Sequence, residues 1–281
     1  MRLGELQRQA ELRLQGGAHP DRARLDATFL LQEALNQPRT WLLIHKEDDL
    51  DQSVTEKYLQ MVERRLTGEP IQYLLGKTEF FGLPFTVNPA VLIPRPETEH
   101  LVEKAVELAS RFTKPRIIDI GTGSGAIAVS VAHSLPEACL TAVDISPKAL
   151  EVARENARLN GVGIDFQLGD LLSSVAGPFE LILSNPPYIP ESDRPTLAVE
   201  VREHEPELAL FAGVEGLDIY CRLIPQAFAK LHPGGWLLLE IGIHQAPAIR
   251  QILSDAGFTE ISFVPDLQGI ERVACAQRPV G

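Results

Sequence analysis

The stretch that most constrains this chain is Arg116–Ile120 followed by Gly121-Thr122-Gly123-Ser124-Gly125-Ala126. The isoleucine-rich segment predicts a buried strand, and the apolar run Ala126–Ser134 behind the glycines predicts a helix. Alternating glycines let the backbone turn sharply between the two and let a ligand lie against the main chain. Glycine gives up much conformational freedom on folding, so three in alternation are costly unless something approaches them closely. The segment therefore predicts a strand, a tight turn and a helix, with a ligand beside the turn.

Strand and helix signals keep alternating after it. Further strands are expected at Leu140–Asp144, Ile164–Leu168, Glu180–Ser184 and Trp236–Ile241, and helices at Pro147–Asn160 and Gly216–Leu231. That alternation predicts an α/β domain, a mostly parallel sheet covered on both faces. The end of the chain differs: ISFVPDLQGIERVACAQ predicts two antiparallel strands around Asp266–Gly269. By fold analogy, a terminal antiparallel pair suits a Rossmann-like methyltransferase sheet better than a simple dinucleotide-binding one. The glycine turn alone leaves both open. As G-x-G-x-x-A it fits the dinucleotide fingerprint, and as Asp-Ile-Gly-Thr-Gly-Ser-Gly it fits a methyltransferase nucleoside turn.

The first part of the chain is different in kind. Leu3, Leu6, Ala10 and Leu14 recur at helical spacing, and further helices are expected over Asp21–Leu35 and Val54–Leu66. GEPIQYLLG (68–76) is expected as a helix breaker and a short turn. The organisation predicted is a small helical, substrate-recognising domain over 1–75, a β-hairpin connector over 76–95, and the α/β domain over 96–281.

Composition narrows the function classes. The formal charge of -12 weighs against a protein that grips a nucleic-acid backbone, because phosphate contacts call for a basic surplus. No apolar run nears the roughly 18 residues of a membrane span. The N-terminus lacks a signal-peptide core, so a cytoplasmic location is expected. Cys139, Cys221 and Cys275 lie far apart, with none of the close spacing of zinc ligands, and are expected to be ordinary reduced thiols. No metal site is expected.

Asp144 closes the second strand of the α/β block. A carboxylate there can accept hydrogen bonds from both ribose hydroxyls of a nucleoside; alternatively it caps the helix that Pro147 opens. Asp170, after the third strand, is positioned for an adenine amino group or is a plain turn aspartate. Ser184-Asn185-Pro186-Pro187-Tyr188 follows the fourth strand. In open α/β sheets ligands bind beyond the carboxyl ends of the strands, so this loop should face the same crevice as the glycine turn; a merely proline-stiffened turn is the alternative. Its chemistry suits a planar nitrogen. An amide nitrogen shares its lone pair with its carbonyl and is a poor nucleophile. The Asn185 side-chain oxygen can accept one N–H and the Pro186 carbonyl the other. Two acceptors fix the nitrogen and favour positive charge on it as a bond forms. Proline locks φ and holds such carbonyls rigidly, and Tyr188 could lie flat on the planar group.

Asn185–Tyr188 together with IIDIGTGSG resembles the class I amino-methyltransferases, whose members act on adenine N6 of nucleic acid or on glutamine N5 of protein. VLIPRPETEHLVE (91–103), taken with GEPIQYLLGKTEFFG (68–82), DIGTGSGAIA (119–128), NPPYI (185–189) and EIGIHQ (240–245), resembles the HemK/PrmC family of peptide chain release factor glutamine methyltransferases. The likeness runs from LDATFLLQEAL (25–35) to GIERVACA (269–276). Arg95-Pro96-Glu97-Thr98-Glu99 favours this branch over the related ribosomal-protein glutamine methyltransferases.

The resemblance implies a class I S-adenosylmethionine-dependent fold, S-adenosylhomocysteine as product, and class 1 release factors as substrate, methylated on the glutamine of their GGQ motif. It implies cofactor contacts at Gly121, Thr122, Gly123, Ser124, Gly125, Asp144, Asp170, Leu171 and Asn185, and substrate contacts at Asn185, Pro186, Pro187 and Tyr188, with Asn185, Pro186 and Tyr188 the catalytic set. Leu171 departs from relatives that carry an aromatic there, so stacking on adenine is replaced by an aliphatic face. Pro96, Glu97 and Glu99 make a good helix start, and the same segment is expected to shape the pocket. Whether Arg95, Glu97 and Glu240 line it is left open by the sequence.

Overall fold

Leu3, Leu6, Ala10 and Leu14 fall on one face of α1 (Leu3–Leu14), and all four are buried. In this computed structural model, which describes residues Met1–Val280, that helix opens a helical unit of Met1–Lys77 and Leu197–Glu205. The second unit is Thr78–Thr196 with the chain from Pro206 onward.

The helical unit adds α2 (Ala23–Leu35), α3 (Arg39–Ile44), α4 (Gln52–Leu66) and α5 (Ile71–Leu75). Their apolar faces meet in one core containing Leu6, Leu30, Leu31, Tyr58 and Val62. Two sequence expectations shift here. Pro20–Arg22 forms a 3-10 turn, so α2 starts at Ala23 rather than Asp21. GEPIQYLLG contains a short helix, α5, which Gly76 ends in the left-handed conformation at φ 69°.

A buried ion pair joins α2 to α4. Arg65 Nε donates to Asp26 Oδ2 at 2.7 Å, and the two side chains are 2% and 1% exposed. Arg65 Nη1 also donates to the Glu69 carbonyl at 2.9 Å and to Glu200 Oε2 at 3.3 Å. Glu200 lies on the short helix Val199–His204, and Gly68, at φ 94°, lies directly against Val199. These contacts draw Leu197–Glu205 into the helical unit, although by sequence position it falls inside the 96–281 block.

From Thr78 the second unit carries most of a hairpin of β1 (Lys77–Phe80) and β2 (Leu83–Thr86). Its two turn residues, Phe81 and Gly82, both have positive φ, at 52° and 69°, the geometry that matches strand twist in a two-residue loop. Glu99 Oε1 accepts from the Phe81 N–H at 2.8 Å and holds the turn. The 3-10 turn Pro96–Thr98 then leads into α6 (Glu99–Ala109).

The sheet follows: β3 (Arg116–Ile120), α7 (Ala126–Ser134), β4 (Cys139–Asp144), α8 (Pro147–Leu159), β5 (Asp165–Leu168) and β6 (Phe179–Ser184). After the excursion through α9 (Val199–His204) come α10 (Asp218–Lys230), β7 (Leu231–Glu240), α11 (Ala246–Asp255), β8 (Thr259–Pro265) and β9 (Glu271–Gln277). Seven strands lie in the order β5-β4-β3-β6-β7-β9-β8, parallel except for β9, which runs antiparallel to β7 and β8. Side chains alternate across it. Ile117, Leu181 and Leu238 pack with Leu101 and Leu108 of α6, while Ile118, Ile182 and Leu239 pack with Tyr220 and Ile224 of α10 and Ile249 of α11. Apolar residues on both faces explain the near-continuous hydrophobic strands.

Breaking the buried pair should be costly, because one partner's charge stays behind. Arg65→Met is expected to lower unfolding stability by about 3–5 kcal/mol and to raise hydrogen exchange in Val199–His204. A loss below about 1 kcal/mol in urea titrations, the scale of an exposed pair, would show that Asp26 finds other compensation.

Candidate functional site

β3 has β4 on one side and β6 on the other. Chains leaving the carboxyl ends of such strands diverge, and the crevice between them is where open α/β sheets hold ligands. A cavity of about 250 Å³ lies there. Its wall includes Gly121–Ser124, Asp144–Ser146, Gly169–Leu171 and Ser184–Pro187. Val91, Pro94, Arg95 and Thr98 line another side, with Leu208 and Arg222.

The glycine turn is shaped by backbone need. Gly121 and Gly123 have φ of 70° and 55°, and a Cβ on either would meet no protein atom within 4 Å. The N–H groups of Gly121 and Thr122 both donate to the Val143 carbonyl, at 2.8 and 3.0 Å, tying the turn to β4. Gly125 differs: at φ 80° its missing Cβ would sit 3.1 Å from Ala153 Cβ on α8. It is off the cavity wall, and its smallness serves helix packing. Below the turn, fully buried Asp119 accepts from the Thr122 hydroxyl at 2.6 Å. Burial pushes the Asp119 carboxyl up to about 7, against the pull of Thr122, and Asp144 adds to the rise.

Asp144 does not cap the next helix. Its Oδ2 accepts from the Gly123 N–H and its Oδ1 from the Ser146 N–H, both at 2.8 Å. The cap of α8 is Ser146, whose side chain accepts from the Ala149 N–H at 3.2 Å. Burial raises the Asp144 carboxyl, and the backbone donors oppose that rise. A carboxylate has about four lone-pair positions, so further donors from a ligand can be accepted. Asp170 pairs with Arg222 at 2.5 Å, both half-exposed. Leu171 beside it has φ 54°.

The loop after β6 is gripped from several elements. Ser184 Oγ donates to the Ile120 carbonyl at 2.7 Å, locking the ends of β6 and β3 together. Asn185 Nδ2 donates to Thr98 Oγ1 at 3.2 Å, and the Thr98 hydroxyl donates to Glu240 Oε2 at 2.6 Å. The Tyr188 hydroxyl lies 3.4 Å from Glu240 Oε1. Gln245 Nε2 donates to the Tyr188 carbonyl at 3.0 Å. Glu240 is 2% exposed, and burial pushes its carboxyl up to about 7 against the pull of Thr98 and Arg272.

Of the residues singled out from the sequence, Gly121, Thr122, Gly123, Ser124, Asp144, Asp170, Leu171, Asn185, Pro186 and Pro187 line this one cavity. Gly125 and Tyr188 do not; the Tyr188 hydroxyl lies 3.4 Å from Glu240 Oε1. Arg95 lines the cavity; Glu97 and Glu240 do not, although Glu240 reaches Asn185 through Thr98. Arg222 carries no signal in the sequence, because α10 shows only its apolar face there. Among the described residues no cluster of His, Cys, Asp or Glu could hold a metal ion, and no helix is long and apolar enough to cross a membrane.

Comparison with known proteins bears on this cavity. The model of the PrmC N-terminal domain matches residues 5–76, and that of the methyltransferase small domain matches residues 98–202. A release factor glutamine methyltransferase from Koribacter versatilis is 44% identical over 91% of this chain and 91% of its own length. One from Deinococcus radiodurans is 42% identical over the full length of both. Among solved structures, a ribosomal protein L11 methylase from Lactobacillus delbrueckii subsp. bulgaricus matches 69% of this chain and 84% of its own, at 25% identity and a TM-score of 0.50. The T. thermophilus 16S rRNA N2 G1207 methyltransferase, solved with AdoMet and guanosine, matches 72% of this chain and 49% of its own, at 17% identity and a TM-score of 0.54, a likeness of fold. The α/β unit has the class I methyltransferase fold.

The glycines should differ in tolerance. Gly121→Ala is expected to cost about 1–2 kcal/mol of left-handed strain. Gly125→Ala should lose that and about 1–3 kcal/mol more from overpacking against α8. Equal losses in urea titrations of the two variants would contradict this account of the turn.

Proposed function

The chain belongs to the family of release factor glutamine methyltransferases, and from that premise and the geometry of its cavity we propose its reaction. It transfers a methyl group from S-adenosylmethionine to the side-chain N5 nitrogen of the GGQ glutamine of a class 1 release factor. The observation that carries this reading is the placement of Asn185 and Pro186 on the same wall system as the open face of the glycine turn.

The cavity fits the cofactor. Gly121 and Gly123 leave a cradle that any Cβ would fill. Asp144, already steadied by two backbone donors, accepts the ribose hydroxyls. Leu171 offers adenine an aliphatic face, and Asp170, held by Arg222, meets its amino group. When bound, S-adenosylmethionine supplies an electrophilic methyl group on a sulfonium. The chain's own residues supply orientation. Asn185 Oδ1 and the Pro186 carbonyl accept the two N–H bonds of the glutamine amide and stabilise positive charge as the nitrogen gains its methyl group. One N–H proton then passes to solvent water, and the neutral N5-methyl amide and S-adenosylhomocysteine remain. Tyr188, off the cavity wall, keeps the loop in place through Glu240 and Gln245. The helical unit recognises the protein substrate, and the reaction takes place in the cytoplasm, where release factors work. The net charge of -12 favours a protein over a nucleic acid as substrate.

Four expected outcomes check this. Asp144→Ala should weaken S-adenosylmethionine binding by about tenfold or more, since bonds to a charged acceptor are each worth roughly 1.5–3 kcal/mol; calorimetry with unchanged affinity would remove Asp144 from the site. Asn185→Ala should lower kcat by about 100-fold or more on a purified release factor, with cofactor affinity reduced far less. Asn185→Asp, which keeps an acceptor, should retain more activity than Asn185→Ala. A release factor whose GGQ glutamine is replaced should receive no methyl group. Transfer to that altered factor, to DNA or RNA, or to a ribosomal protein at a comparable rate would show that the nitrogen is wrongly assigned.

A further inference from the structure

A carboxamide is nearly symmetric in shape and opposite in chemistry at its two ends: the oxygen accepts and the NH2 donates. Asn185 serves a substrate N–H only with its oxygen toward the cavity. Turned over, it would set a donor against a donor, and little in its shape would oppose the turn. What decides the matter lies outside the loop. The Thr98 hydroxyl has a single hydrogen, and that hydrogen is given to Glu240 Oε2 at 2.6 Å. Thr98 Oγ1 is left with lone pairs alone, and Asn185 must offer it Nδ2, at 3.2 Å.

We propose that Thr98 and Glu240 are positioning residues whose hydrogen-bond polarity fixes which end of the Asn185 carboxamide faces the substrate. This rests on the reading of Asn185 as the acceptor of a substrate N–H. Neither residue is assigned a role by the motifs that led to the cavity. Thr98 lies in the helix start after Arg95, and Glu240 ends β7 on the far side of Thr98 from Asn185.

The direction of the relay depends on the charge of Glu240. An ionised carboxylate only accepts, so it draws the Thr98 hydrogen toward itself. A protonated carboxyl can donate to Thr98, which frees the Thr98 hydrogen for Asn185 Oδ1 and turns the amide round. Several elements face Glu240. Thr98 and Glu97 come from the turn before α6, and Tyr188 from the loop after β6. The Tyr220 hydroxyl of α10 donates to its main-chain carbonyl at 2.7 Å, and Arg272 of β9 pulls its carboxyl down. Burial and Glu97 push the carboxyl up, and the balance falls at about 7. The sign follows: the ionised fraction, and with it the productive amide, grows as the pH rises through that value and is lost as it falls.

The test uses full-length wild type, Thr98→Ser, Thr98→Val and Glu240→Gln, with S-adenosylmethionine and a purified release factor between about pH 6 and 9. Thr98→Ser keeps the hydroxyl and should keep kcat within about threefold. Thr98→Val keeps the shape and loses the relay, and kcat should fall by about tenfold or more while the calorimetric cofactor affinity stays within about threefold. In Glu240→Gln a carboxamide can present either end to Thr98. Its kcat should fall, and the wild-type rise in kcat around pH 7 should flatten. Wild-type kcat in Thr98→Val overturns the proposal. So does a rise that survives in Glu240→Gln, since the titration would then belong to another group, such as Asp119. Should Thr98→Val fail to fold, the Glu240→Gln profile beside Thr98→Ser decides. An active Asn185→Ala would remove the acceptor reading itself; an inactive Asn185→Ala beside a fully active Thr98→Val would remove the relay alone.

Discussion

The main chain leaving β3 and the main chain leaving β6 have to part company, because β4 lies on one side of β3 and β6 on the other. Everything at the site depends on that divergence. It opens a crevice at the carboxyl ends of two adjacent parallel strands, and the segments that immediately follow them form part of its wall. After β3 stand Gly121–Ser124; after β6 stand Asn185–Pro187. The Ser184 hydroxyl on the Ile120 carbonyl, at 2.7 Å, holds the two ends together at the floor of the crevice. The glycine turn and the Asn185–Pro187 loop thus become neighbours although more than fifty residues separate them.

Around this crevice the molecule buries polar groups that a simple core would exclude. Asp119, Asp144 and Glu240 are all buried. Burying a carboxyl is costly unless it is hydrogen-bonded, and each of these is: Asp119 by Thr122, Asp144 by two backbone N–H groups, Glu240 by Thr98. The bonds give the site rigidity as well as compensation. Asn156 repeats the pattern with a neutral group. Its carboxamide accepts from the Thr86 N–H at 2.7 Å and donates to the carbonyls of Thr86 and Ser124, both at 2.9 Å, so the hairpin is bound to the glycine turn. The paired groups of Asp144, Glu240 and Asn156 favour one arrangement of the loops, since another would leave a buried group unpaired.

The motif strings of the sequence turn out to have divided labours. In the segment Arg95–Glu99, Arg95 and Thr98 reach the cavity, Pro96 starts the 3-10 turn, and Glu99 closes the hairpin turn at Phe81. In EIGIHQ, Glu240 and Gln245 both hold Tyr188, one by its hydroxyl and the other by its carbonyl. Tyr188, read from the sequence as a face for the substrate, is also the point at which that grip is applied. Period and motif record none of these holding contacts, because the partners come from distant elements.

The sequence by itself determined the class of fold, the strand-turn-helix at Gly121 and two segments of the cavity wall, Gly121–Ser124 and Asn185–Pro187. The reason is local: strand and helix periods, glycine's access to positive φ and proline's fixed φ act within a few residues. It also determined the helical character of the first block, whose apolar faces repeat every three or four residues. Only the tertiary structure decided that Val199–His204 joins that block through Arg65 and Gly68, that Gly125 packs on Ala153, that Ser146 rather than Asp144 caps α8, and that Thr98 stands between Asn185 and Glu240. Each of those depends on residues far apart in the chain brought within hydrogen-bonding or van der Waals distance. No local preference records which distant partner a buried donor, acceptor or missing Cβ will meet.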